Sequence, residues 1–175
     1  MLPSAFRKVA FLNLRLRATG AYSGGVVLPR GDGDGWTHCA LGHRHWGLFG
    51  AAGLLLWHGD HILLQHRALW SHHGGTWGLL GGARNRGETP EQAAQREAAE
   101  EAGLPSDAYS VTGCYLDDHG GWSYTTVVAQ ARAAVDLTAL TGETIEMRWV
   151  PADRLGELPL HPGFAATWDV VRAIA

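Results

Sequence analysis

Cysteine is scarce in this chain of 175 residues: Cys39 and Cys114 are the whole supply, enough for one bridge at most. No secretory hydrophobic segment precedes them, so a disulfide scaffold is not expected and a reducing, cytoplasmic setting is. Lysine is scarcer still, with Lys8 alone beside 13 arginines that are scattered rather than clustered. A net charge of -3 and a pI near 6.3 leave no basic face for a phosphodiester backbone, which argues against a nucleic-acid polymer as partner. No apolar run approaches the roughly 18 to 20 residues needed to span a bilayer, so no membrane association is expected. Internal repeats and low-complexity segments are missing too. What the chain does have is apolar content, 46% against 18% charged, which suits one globular domain with a genuine core and leaves a homodimer open.

Residues 1–35 differ in texture from the rest. They carry no acidic residue before Asp32 and end in a run of glycine and aspartate, which reads as a flexible N-terminal extension and linker, with the domain proper over 36–175. The apolar stretch "VAFLNL" is too short for a secretory signal; the Arg-rich, acid-free composition also admits an organellar transit peptide, but a tail or an overextended reading frame is the simpler account.

From Trp46 the pattern is that of strands. Ala51 to Trp57 and His61 to Gln65 are apolar runs joined by His58, Gly59 and Asp60, a hairpin signal. A Gly-, His- and Trp-rich loop follows, then a short strand at Trp77 to Leu80. Tyr109 to Tyr115, Trp122 to Ala131 and the segment "EMRWV" ending before Pro151 read as further strands. Phe164, Trp168, Val171 and Ile174 stand at helical spacing and predict a closing amphipathic helix. The order is strands, one central helix, strands and a terminal helix, an α+β or αβα sandwich pattern.

The central helix is the unusual element. Thr89, Pro90 and Gln92 supply an N-cap, a first-turn proline and a capping-box partner, while Gly103 and Pro105 mark the stop, so the helix runs from about Pro90 to Ala102. Within it Glu97, Glu100 and Glu101 fall at i, i+3 and i+4, on one face and roughly 5 to 6 Å apart. Like charges so placed destabilise a helix. Alanines at 93, 94, 98, 99 and 102 let the helix pack closely on a sheet, leaving the acids for something other than solvation. The acids either form an ordinary solvated face or gather around a hard divalent cation with oxygen ligands, for which Mg²⁺ or Mn²⁺ fits best.

The surrounding spacing decides between these. Gly82, five residues, Glu88, seven residues, Arg96-Glu97, two residues, Glu100-Glu101, one residue and Gly103-Leu104 resembles the Nudix box, with every invariant charged and glycine position filled. Seven fixed residues at about 0.07 each match by chance on the order of 10⁻⁸ per start point. One position departs: Ala98 stands where the box has a bulky aliphatic residue, a change that bears on packing. The resemblance extends from about Gly47 to the end and implies the Nudix αβα sandwich, with a mixed central sheet, the loop-helix-loop of the box and a C-terminal helix.

That resemblance also implies roles. Glu100 and Glu101 would be metal ligands, Glu97 a ligand or the group that activates water, and the Gly81 carbonyl a further oxygen ligand; Glu88 and Arg96 would tie the loop to the helix. Members often bring another acid from a loop after the box, for which Glu143, after Gly142, is favoured over Glu146. The implied chemistry is attack of water on one phosphorus of a diphosphate.

Weaker constellations complete the reading. Cys39, His43 and His45 are zinc-ligand types, but a structural site needs four ligands and the usual cysteine pairs are missing, so local packing is expected. His72 and His73 precede the box strand, where His73 could meet a substrate phosphate. Trp70, Trp77 and Trp122, with Phe164, are candidates to stack on a base, although most of eight tryptophans are expected in the core. No coenzyme A signature, paired-cysteine ribbon or "SQPW"-like string is present, and the region around His119 and Gly120 lacks the proline often seen in ADP-ribose hydrolases. By exclusion the small-molecule substrate is a nucleoside triphosphate, oxidised or not, cleaved to monophosphate and pyrophosphate. ADP-ribose, a nucleotide sugar, or a sensor that binds nucleotide without turnover are the alternatives. An isomerase of the same fold would need a catalytic cysteine, and neither Cys39 nor Cys114 is clearly so placed.

Overall fold

The structure is a computed structural model that describes residues 31–135, 137 and 139–174. Most of the expected N-terminal extension lies outside the described residues. Residues 31–35 are tied to the body: the Gly33 N–H donates to Asn85 Oδ1, the Leu48 N–H to Gly33 O, and Asp32 accepts from the Arg86 N–H.

Among the described residues, nine strands and two α-helices follow in chain order. They are β1 (Trp36–His38), β2 (Arg44–Trp46), β3 (Ala51–His58), β4 (His61–Arg67), β5 (Trp77–Gly78), β6 (Leu80–Ala83), α1 (Pro90–Ala102), β7 (Tyr109–Asp118), β8 (Ser123–Ala131), β9 (Thr144–Pro151) and α2 (Pro162–Val171). Seven strands form one mixed sheet, in which β3 runs parallel to β8 and antiparallel to β4 and β6. β1 and β2 make a separate antiparallel ribbon. The expected 77–80 strand is instead two pieces that part at Leu79, β5 pairing with β4 and β6 with β3.

Alternation along β3 builds the two sides of the sandwich. Leu54 and Leu56 join Ala93, Ala94, Ala98 and Ala102 of α1 in one core cluster. Leu55 and Trp57 point the other way, into a cluster with Phe164 and Val171 of α2. A strand buried on both faces reads as a continuous apolar run, as "AAGLLLW" does. Helix α1 begins and ends where its caps predict: Thr89 and Gln92 form the reciprocal capping box, and Gly103 turns left-handed at φ 65°. Apart from Glu101, its sheet-facing residues are alanines, so the axis lies close to β3 and β6. Ala99, expected to share that packing, is exposed.

Candidate active site

Three carboxylates meet where α1 crosses β6. Glu101 is buried and accepts hydrogen bonds from the Gly81 N–H (3.0 Å) and the Gln65 amide (3.3 and 3.4 Å). Gln65 is itself fully buried; it donates to Leu79 O and accepts from the Thr144 hydroxyl, so strands β4 and β9 both help to fix Glu101. Burial, then the neighbouring Glu97 charge, pushes the Glu101 carboxyl up to about 8. Burial likewise pushes Glu97 up to about 7, against the pull of Arg96. Glu100 is the more exposed of the three.

Arg96 organises the cluster. It forks onto Glu88 (2.9 and 3.1 Å), reaches Glu97 at 2.7 Å and Glu100 at 3.2 Å, and donates to the Ala83 carbonyl at 2.8 Å. Glu88 also accepts from the Asn85 N–H; burial would raise its carboxyl, but these hydrogen bonds and the Arg96 charge outweigh it and hold it below its ordinary value. Gly81 and Gly82 pair with Gly53 and Ala52 on β3. A Cβ on Gly82 would lie 2.6 Å from the Glu97 carboxylate. Gly82→Ala therefore displaces a carboxylate that Arg96 already holds; activity should fall by about 10²-fold with the fold retained, checked by steady-state rates beside a melting curve.

The donor set suits a hard cation: oxygen atoms only, with Glu97 and Glu101 buried deeply enough that ionisation is costly without one. Glu97, Glu100, Glu101 and the Gly81 carbonyl are the groups that could hold it. A linkage follows. Because the folded pKa values of Glu97 and Glu101 lie above the ordinary carboxylate value, their contribution to stability is full below pH 4.5 and is lost as pH rises through 7 and 8. The charges facing them are Arg96, Glu100 and Asp34 around Glu97, and Arg67 and Glu97 around Glu101. In magnesium-free buffer the thermal midpoint should drop by about 5 °C or more between pH 6 and 8.5. Added Mg²⁺ should restore it, increasingly so toward the alkaline end.

Beside Gly81 and Gly82 opens a cleft of about 480 Å³. His73, Trp122 and Phe164, drawn from three distant segments, all line it. Trp122 has one face covered by His45, stacked at 3.8 Å, and its indole N–H donates to Gly47 O. Trp70, by contrast, is exposed, and Trp77 is buried against His66. Glu143 lies outside the lining, its side chain exposed and its carbonyl accepting from the Ala68 N–H; Glu146 pairs with Arg148 at 2.8 Å.

Several lining groups escaped the sequence reading. Arg67 donates to the His72 carbonyl, and His161, the N-cap of α2, brings its ring against His73. Burial, then His73, Arg67 and His72, lowers His161 to about 4, so it is neutral at physiological pH. Arg44, His45, His119 and Tyr124 also line the cleft, and among the described residues Asp117 is its one acid. Gln65 did carry a signal, as a lone amide at the end of an apolar strand; the others come from separate elements and share no local pattern.

Comparison with known proteins identifies the family. The NUDIX domain model matches residues 47–172. A Mycobacterium tuberculosis protein named "Putative 8-oxo-dGTP diphosphatase 3" is 52% identical over 155 residues, 82% of this chain and 70% of that one. A Bifidobacterium longum nucleoside triphosphate pyrophosphatase/Nudix hydrolase fusion protein is 40% identical over 87% of this chain, which spans 34% of the fusion. Among solved structures, the Nudix hydrolase RenU of M. smegmatis superposes with a TM-score of 0.75 at 47% identity, over 81% of this chain and 94% of RenU. With the mixed sheet clasped between α1 and α2 and the box residues gathered at the α1–β6 crossing, the chain belongs to the Nudix family.

Proposed function

We propose that the protein hydrolyses a diphosphate bond in a nucleoside diphosphate derivative, foremost a nucleoside triphosphate, oxidised or not, releasing monophosphate and pyrophosphate. The observation that carries this reading is the junction itself: an acidic cluster on α1 meets, at Gly81 and Gly82, a cleft lined by cationic, histidine and aromatic groups. The relative named for 8-oxo-dGTP supports the oxidised nucleotide as first choice. Mg²⁺ or Mn²⁺, held by the carboxylates and the Gly81 carbonyl, would neutralise diphosphate oxygens and acidify a water.

The chain's own groups divide the remaining work. Arg96 fixes Glu97 through one oxygen and leaves the other without a hydrogen bond, so Glu97 can take the proton from the attacking water. Arg67 and His73 face the cleft and can receive the outer phosphates, while Phe164 and Trp122, which line it, offer apolar surface to the base. A cytoplasmic setting is part of the same reading; among the described residues no helix is long and apolar enough to cross a membrane.

The test is a panel of canonical and oxidised nucleoside triphosphates, ADP-ribose, dinucleotides and nucleotide sugars, with Mg²⁺ or Mn²⁺, read as released phosphate or pyrophosphate. Turnover led by an oxidised triphosphate is the expected result. Turnover led by ADP-ribose or a nucleotide sugar would move the substrate class. Metal-dependent binding without turnover of any compound would mark a sensor instead.

A further inference from the structure

The sequence places Cys39, His43 and His45 together, one ligand short of a metal site. The fold supplies the fourth. His119, at the end of hairpin β7–β8, comes against the β1–β2 ribbon, and the ligand atoms of Cys39, His43, His45 and His119 all lie within 4.8 Å of one another. Tetrahedral zinc with bonds of about 2.0 to 2.3 Å sets its ligands roughly 3.3 to 3.7 Å apart, so side-chain adjustments of about 1 Å close the site.

Three further observations point to a ligand at this cluster. His45 Nε2 and His119 Nδ1 are buried without a hydrogen-bond partner, a cost that a lone pair given to a metal removes. His119 is also oriented from behind: its Nε2 lies 3.1 Å from Asp117 Oδ2, so an Nε2–H donating to that carboxylate leaves Nδ1 as the free lone pair. A carboxylate behind a histidine is the usual support of a zinc ligand. The backbone is arranged to match. The Cys39 N–H donates to His43 O, Gly42 turns left-handed at φ 80° to close the loop between them, and the Ala40 N–H donates to Gly120 O at 2.7 Å, docking the ribbon on the hairpin.

We propose that Cys39, His43, His45 and His119 bind one zinc ion that clamps the β1–β2 ribbon to the β7–β8 hairpin and so fixes one wall of the cleft. Binding releases the Cys39 thiol proton, and one thiolate with three neutral imidazoles leaves a net single positive charge on that wall. The ligands are soft sulfur and nitrogen and separate from the oxygen set on α1, so zinc and magnesium do not compete for one place. His45 carries the consequence to substrate, because its ring is stacked on Trp122. The inference does not depend on the hydrolase reading.

The full chain, expressed without a histidine tag and purified without chelator, should contain about one zinc per molecule by elemental analysis, undisturbed by excess Mg²⁺. After zinc is stripped, titration with Co²⁺ should give visible bands of a tetrahedral site and a near-ultraviolet thiolate-to-cobalt band saturating at one equivalent. Removing zinc should lower the thermal midpoint by about 5 to 15 °C. Cys39→Ser should abolish the thiolate band and His119→Ala the bound zinc, whereas the double variant His72→Ala/His73→Ala, at the other histidine cluster, should keep both. The cobalt titration of the unaltered chain reads the site even if a variant fails to fold. Zinc well below one equivalent with no thiolate band would overturn the proposal, as would zinc that disappears with His72 and His73 and persists without Cys39.

Discussion

Replacing Glu101 by glutamine should lower kcat by about 10³-fold while leaving the metal-free protein at least as stable as the parent at pH 8. The two halves of this expectation have one cause. Glu101 is buried, and its carboxyl, pushed up to about 8, is costly to ionise in the absence of a cation. Glutamine keeps the shape and can still accept the Gly81 N–H, but carries no charge, so the folded state loses a burden and the cation loses a ligand. Stability gained with activity lost is the signature of a group retained for function. Three readings check it: kcat for the best panel substrate, the thermal midpoint in magnesium-free buffer, and the rise in midpoint on adding Mg²⁺, which should shrink in the variant. A variant that keeps parental kcat would remove Glu101 from the chemistry; one that unfolds would show that the carboxylate serves packing through Gln65 and Gly81.

The parts of this fold that were legible in sequence are those whose signals are local. Helix α1 could be bounded because Thr89, Gln92 and Gly103 satisfy orphan backbone groups at its ends and Pro90, lacking an N–H, removes one. The β3–β4 hairpin was equally clear, since Gly59 and Asp60 separate two apolar runs. By contrast β1 and β2, three residues each, are too short to show a period, and the break at Leu79 arises because β3 and β4 diverge after pairing only near their turn, so that β5 follows one and β6 the other. Neither event leaves a mark on the sequence.

The site divides the same way. Spacing placed Glu97, Glu100 and Glu101 on one helical face, but no spacing relates Gln65 on β4 to Glu101, or His119 to Cys39. The first contact forms because α1 packs on the sheet, the second because the β1–β2 ribbon docks on the β7–β8 hairpin. His73 and Phe164 could be picked out by residue type, yet the partners that define their wall of the cleft, Arg67 and His161, could not. Both lie at the ends of elements, where side chains turn toward the cleft for reasons of topology.

Among single substitutions in the box, the largest stability effect belongs to Arg96. Arg96→Met removes all five of its hydrogen bonds: two to Glu88, one each to Glu97 and Glu100, and one to the Ala83 carbonyl. Methionine keeps much of the apolar stem, so the loss is of charge and donors rather than of volume. What remains is a Glu88 carboxylate only 14% exposed, now paired with the Asn85 N–H alone, beside Glu97 and Glu100 with no cation between them. Breaking such a partly buried network from one side costs about 3 to 5 kcal/mol, so the midpoint should fall by roughly 10 °C. Glu88, held charged by Arg96 in the parent, contributes stability above its ordinary pKa that is lost as pH falls through the depressed folded value; in the variant this acid-side contribution should disappear. Arg96→Lys separates charge from geometry, because an ammonium group cannot fork onto Glu88 and reach Ala83 at once. It should recover less than half of the lost stability. Adding Glu88→Gln to Arg96→Met should recover more, since it removes the stranded charge, and the double-mutant cycle should give a coupling of about 2 kcal/mol. Additive effects in that cycle would mean that Arg96 acts through Glu97 and Glu100, on the acidic cluster, and not by tying the loop to the helix.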